Sequence, residues 1–294
     1  MKLNFDINSD SFNPGYAINL EDKDYLQATS TVAKMLMMGD LPERIDPRQH
    51  PLYKDNWLKV ENQMSQGSCQ GNSLTECSEF CYTIKTGRII QLSREYAYIR
   101  SQQFDNIKGD SGSTLSGGTK CAKEGICLES VGPYNGNKYP GWGWVTQNMK
   151  DDAKNYRLMS HTQMRDEEDV RRFIGSGIGI VQIGISWGRE MNPDNNGCIR
   201  SFSGRGGGGH AIVLAGYVPD SDIGVSSPKG YWYLLKNSWG TKWGKNGFAY
   251  VSTSAVASML NHRFTVMIGR SDMDVPSPRP IDVDFTKKGM SING

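Results

Sequence analysis

The sequence predicts an α+β fold of two lobes with a cleft between them. Three observations carry this reading. Helical spacing of apolar residues dominates the first half, and β-branched, alternating runs dominate the second. The 294 residues are enough for one large domain or two lobes.

The elements follow in order. Residues 24–38 have apolar side chains at roughly helical spacing and predict a short helix. Residues 41–46 read as extended chain entering the main body. A helix is predicted over 69–85, with Leu74, Cys77, Phe80, Cys81 and Ile84 on one face and Gly87 as its C-cap. Another is predicted over 93–103, with Ser93 at its N-cap. Residues 110–118 form a Gly/Ser turn region, followed by a short helix over 119–124 that Gly125 ends. Four strands are predicted at 178–185, 211–217, 231–236 and 247–251. From Asp272 onward, Pro276, Pro278 and Pro280 in polar surroundings predict an extended, mobile tail.

Composition narrows the function. Hydrophobic residues make up 37% and charged residues 22%, as in a globular protein. The net charge of +2 offers no electrostatic case for nucleic acid or membrane lipid as the main partner. No apolar run is long enough to span a bilayer. The start, Met1 to Asn8, lacks the apolar core of a secretory signal. Six cysteines are present, none in a C-x-x-C pair, so no zinc ribbon or other metal site is expected, and no cofactor. If Cys69 stays a free thiol, at most two disulfides can form. The ordinary expectation is buried, reduced thiols.

Three segments carry chemistry. Cys69 lies in Gln66-Gly67-Ser68-Cys69-Gln70-Gly71-Asn72, a small polar loop leading into the helix predicted at 69. A thiol at a helix N-terminus is favoured as thiolate, which is the nucleophile. A cysteine in such a loop is more often structural. His210 follows a run of glycines ending in Gly209 and opens an apolar strand; bare backbone there lets a partner approach. His50, His161 and His262 have no comparable setting. Asn237, in Lys236-Asn237-Ser238-Trp239-Gly240, sits just past a strand, where its amide can hold one imidazole nitrogen and turn the other toward the sulfur. Trp239 can shield that bond from water.

Each signal alone is modest, but the order Gln, Cys, His, Asn with the Asn-Ser-Trp-Gly-x-x-Trp-Gly-x-x-Gly run resembles the papain family of cysteine peptidases. His210 lies 141 residues after Cys69. The stretches Gly109-Asp110-Ser111-Gly112, Lys123 to Ser130 and Pro133-Tyr134 look closest to the bacterial and viral branch.

The resemblance implies a papain-like fold with a helical left lobe and a β-barrel-like right lobe. It implies an N-terminal extension over 1–40 that can act as a short inhibitory segment, a peptidase domain over 41–270 and a tail over 271–294. Cys69 would be nucleophile, His210 base and Asn237 its orienter. Gln63, six residues before Cys69, would donate to the oxyanion. Gly117 and Gly118 would line the cleft where an extended peptide pairs with the backbone, with Gly209 and Trp239 also facing substrate. The implied function is a cysteine endopeptidase acting on polypeptide as a monomer.

The pattern is departed from in three places. Gln70 stands where many members carry tryptophan. Gln66 stands where secreted members carry a disulfide cysteine, which suits the cytoplasm or a virion. Residues 1–40 are too short for the large helical propeptide of secreted cathepsins. Two other functions fit the sequence: a thiol acyltransferase or cell-wall peptide hydrolase, and a structural or binding module of a virus particle.

Overall fold

The computed structural model describes residues 41–205 and 207–275. The helix predicted at 24–38, the inhibitory role of residues 1–40 and the tail beyond 275 lie outside the described residues.

The left lobe is helical. Helix α1, Cys69–Thr86, is buried on nearly every side for most of its length. Gly87 ends it in the left-handed region at φ 66° and returns its N–H to Thr83 O, a conformation glycine takes without strain. Helix α2, Arg94–Asp105, begins where Ser93 Oγ accepts from Tyr96 N–H. Helix α3, Leu115–Glu124, starts four residues before its predicted beginning. The reason is Thr114, whose Oγ1 accepts from Gly117 N–H and so caps the helix ahead of the glycines. Helix α4, Gln147–Ala153, closes the lobe behind a Thr146 cap.

The second half builds one sheet. In chain order it runs β1 (Arg157–Gln163), α5 (Glu167–Gly175), β2 (Gly179–Trp187), β3 (Cys198–Ile199), β4 (Gly208–Pro219), α6 (Asp220–Ile223), β5 (Tyr231–Lys236), β6 (Phe248–Ser252), α7 (Thr253–Leu260) and β7 (Val266–Asp274). The spatial order is β1-β7-β2-β4-β5-β6-β3. Neighbours are antiparallel except β3 and β6. The sheet is open. Among the described residues β1 pairs only with β7 and the two-residue β3 only with β6, which corrects the barrel-like expectation. The predicted boundary at 270 falls inside β7, whose residues to Asp274 continue to pair with β1.

The four predicted strands are β2, β4, β5 and β6. Their residues are nearly all buried, because both faces of this part of the sheet are covered. Helix α1 packs across β2, β4 and β7 as well as α2 and α3. It is therefore the element that joins the helical lobe to the sheet, and its N-terminus points the chemistry into the seam.

Candidate active site

Cys69 is the first residue of α1 and is wholly buried, packed with Leu115, Ala211 and Ile268. Its sulfur therefore lies at the positive end of an 18-residue helix. The backbone N–H of Ala211 also donates to Cys69 Sγ at 3.3 Å. Both features favour the thiolate over the thiol.

That bond also places the base. His210 precedes Ala211 in β4, opposite Ile185 of β2, and is fully buried. Its Nε2 lies 2.8 Å from Asn237 Oδ1. The same oxygen accepts from Ser238 N–H at 2.8 Å, which fixes the amide with its oxygen toward the ring. Nε2 must then carry the hydrogen, and Nδ1 is the nitrogen that can exchange a proton with the sulfur. The structure thus brings His210 and Asn237 into contact and sets Cys69 against the residue that follows His210.

Aromatic rings close the site to water. Trp239 stacks on His210 with centroids 4.5 Å apart and planes at 25°. Trp187, at the end of β2, meets the same imidazole edge-on at 5.0 Å and also touches Trp239 and Trp243. Burial pushes the His210 imidazole down to about 4, against the opposing pull of the Asn237 hydrogen bond. An imidazolium in this hole is stabilised by the Asn237 oxygen and would be stabilised further by an anion beside it, such as the thiolate.

Gln63 is buried ahead of the nucleophile. Its backbone N–H donates to Ser238 O at 2.8 Å, its Oε1 accepts from Ser238 Oγ at 2.7 Å, and its Nε2 donates to Gln66 O at 3.1 Å. A primary amide has two N–H donors, so one remains for an oxyanion.

The loop between Gln63 and Cys69 is pinned from the helical lobe. Gln66 Nε2 donates to Glu95 Oε1 at 2.6 Å, and Gly67 N–H donates to Asp110 Oδ1 at 2.8 Å. Ser68 Oγ and Tyr134 OH lie 2.6 Å apart, and Tyr134 OH donates to Gln63 O at 3.0 Å. Hydrogen bonds thus hold the loop where Gln66 replaces a cysteine. Burial raises the Glu95 carboxyl to about 7.

Gly117 and Gly118 are a correction. They lie inside α3 and are buried, with Gly118 N–H spent on Thr114 O and Gly117 N–H on Thr114 Oγ1. No extended peptide can pair with that backbone. Their smallness serves packing instead. A Cβ on Gly117 would stand 2.4 Å from the Asp105 carboxylate, and one on Gly118 would stand 1.9 Å from Gln70 Nε2. The segment that adjoins the nucleophile loop is the preceding one, where Asp110 holds Gly67 and Ser113 Oγ donates to Gln70 Oε1 at 2.7 Å. Gly209 is half-buried beside His210, paired with Ser186.

Trp187, Ser238 and Tyr134 were not assigned to the site from sequence. Ser238 follows Asn237 directly, and its position was a usable signal. Trp187 was not, because only the β2–β4 register brings it to His210.

All six cysteines are buried, and none is in a disulfide. Burial pushes Cys77, Cys81, Cys121, Cys127 and Cys198 upward, with Cys127 reaching about 12. Those five are held as inert thiols. Among the described residues, no cluster of His, Cys, Asp and Glu is arranged to hold a metal ion.

Comparison with known proteins agrees with this geometry. The family model described as "Papain family cysteine protease" matches residues 41–267. A cysteine protease of Blomia tropicalis is 26% identical over 236 residues, covering 77% of this chain and 66% of that protein. A viral cathepsin of Cydia pomonella granulosis virus is 28% identical over 216 residues, covering 71% and 56%. The chain spans from 33% to 66% of the length of the first curated relatives it matches. Among solved structures, xylellain, a cysteine protease from Xylella fastidiosa, superposes with a TM-score of 0.66 at 19% identity, over 89% of this chain and 97% of that one. Digestive procathepsin L 3 of Tenebrio molitor gives 0.62 at 19% identity, over 87% and 76%. These structures share the fold. With the match over residues 41–267, they lead to one assignment: the chain belongs to the papain family of cysteine proteases.

Proposed function

We propose that the protein is a cysteine endopeptidase that hydrolyses polypeptide through an acyl-cysteine intermediate. The observation that carries this is the continuous contact from Asn237 Oδ1 to His210 Nε2 at 2.8 Å, and from the next backbone N–H to Cys69 Sγ at 3.3 Å.

The Cys69 thiolate attacks the peptide carbonyl carbon. Charge moves to the carbonyl oxygen, where the free N–H of the Gln63 amide and the Cys69 backbone N–H stabilise it. The carbon–nitrogen bond breaks as His210 passes its proton from Nδ1 to the leaving amine. Water then attacks the thioester, His210 takes a proton from it, and the acid leaves as the thiolate re-forms.

An epoxide-type cysteine-peptidase inhibitor tests the assignment. It is expected to modify Cys69 alone, since burial holds the other five cysteines as thiols. Cys69→Ala should abolish both labelling and cleavage of an unfolded protein. Retained cleavage in that variant would sink the reading.

We further propose that the protein works in the cytoplasm or a virus particle, as a monomer. Six cysteines outside any disulfide, and a nucleophile loop held by Gln66–Glu95, support a reducing setting. Thiol counting on protein denatured straight from its source would give six if this holds and fewer if bridges form there.

A further inference from the structure

Behind the His210–Asn237 pair lies a cavity of about 10 Å³, lined among others by Asn72, Ser73, Glu76, Lys236, Asn237 and Ser238. That is about the smallest space that holds one water. Two of these lining residues each carry a buried polar atom, Asn237 Nδ2 and Asn72 Oδ1, with no hydrogen-bond partner among the described residues. Both residues are only 2% exposed.

Neither amide can flip to relieve this. Asn237 Oδ1 accepts from Ser238 N–H, so its nitrogen must point away. Asn72 Nδ2 donates to Ser68 O at 3.0 Å and to Ser68 Oγ at 3.1 Å. A carbonyl oxygen only accepts, so the Asn72 oxygen must take the opposite side. The residues that line the cavity therefore hold one fixed donor and one fixed acceptor still to be met. The Glu76–Lys236 ion pair forms another part of that wall, beside Ala211, Ile212 and Val213. An unmet buried donor and an unmet buried acceptor each cost on the order of 1–3 kcal/mol.

We propose that this cavity binds one ordered water, which accepts from Asn237 Nδ2 and donates to Asn72 Oδ1, and that Asn72 is thereby a positioning residue for His210. The water completes a polar line from the base to the nucleophile helix. It runs from His210 through Asn237 and the water to Asn72, then to Ser68 immediately before Cys69, and on through Tyr134 to Gln63. The orientation of the Asn237 amide is then set from both lobes.

The positioning role rests on the peptidase reading above, but the water does not. A crystal structure of the Cys69→Ala protein is the first arm. It is expected to contain a water within hydrogen-bond distance of Asn237 Nδ2 and Asn72 Oδ1; clear density without a water there overturns the proposal. The second arm compares Asn72→Leu with Asn72→Ala. Both lose the bond to Ser68, so a merely structural role predicts equal effects. Leucine also fills the cavity and excludes water, whereas alanine leaves room for a second one. Asn72→Leu is expected to lower kcat about tenfold more than Asn72→Ala, with KM nearly unchanged. Equal kcat in two folded variants would overturn the positioning role. If Asn72→Leu does not fold, the crystallographic arm decides alone. If the unsubstituted protein cleaves nothing while the water is present, the peptidase reading fails and the site stands.

Discussion

Ser238 Oγ donates to Gln63 Oε1 at 2.7 Å, so the residue that follows Asn237 also orients the Gln63 amide. One short stretch after β5 thus sets two different pieces of the chemistry. Gln63→Ala should lower kcat by roughly 10²–10³ through loss of a donor to the oxyanion. Ser238→Ala leaves the amide in place but free to turn, and should cost about tenfold in kcat with little change in KM. Steady-state kinetics on a fluorogenic peptide would check both. A wild-type kcat for Gln63→Ala would remove it from the oxyanion site.

Burial governs the base. With the thiolate removed in Cys69→Ala, His210 should titrate near its depressed value of about 4. Adding Trp239→Ala opens the stacked face to water and should raise it toward the ordinary 6.5. Proton NMR of the imidazole would follow both. No upward movement in the double variant would show that Trp239 does not shield the ring.

Two buried groups pull stability in opposite directions with pH. The Glu95 carboxyl is raised from 4.5 to about 7, so the unfolded chain gives up that proton first as pH rises, and stability is lost from 4.5 to 7. His210 is lowered from 6.5 to about 4, so the unfolded chain takes a proton first as pH falls, and stability is lost from 6.5 downward. Each contribution is about 3 kcal/mol at full extent. Glu95→Gln deletes the first alone. Between pH 5 and 7, its unfolding free energy should rise with pH more steeply than that of the parent. Urea titrations in a Cys69→Ala background would measure this; parallel curves would count against a shifted Glu95.

Gly118 is a packing residue, and its substitution separates that role from substrate binding. Gly118→Ala gains helix propensity but forces the Gln70 amide, itself held by Ser113, to move. Overpacking of this kind costs about 1–3 kcal/mol. The melting temperature should fall while the inhibitor labels Cys69 in the folded fraction as before. A normal melting temperature with impaired substrate binding would return Gly118 to the cleft.

The chemistry was legible because its parts are local in sequence. Cys69 opens a helix, Asn237 ends a strand, and the Trp239 segment is short and distinctive. The strands that were missed lack a simple pattern. β1 is RLMSHTQ, with exposed Met159 inside it, and β7 carries Arg270 in the middle of a buried run. That arginine is satisfied by Gln182, Thr119 and His161, partners from three other elements. Hydropathy alone reads such a position as solvent-facing. Gly117 and Gly118 were misplaced because the resemblance carries over residue types, while the Thr114 cap decides that this chain is helical there.

Cys69 heads a helix of one lobe, and the N–H that touches its sulfur belongs to a strand of the other. Neither half holds a working set of groups by itself. On the proposed mechanism, competence would be a property of the finished seam, present only when α1 has seated on the sheet. An emerging or partly opened chain would then carry the Cys69 thiol with no imidazole beside it, so the fold itself would withhold the proposed activity until assembly is complete.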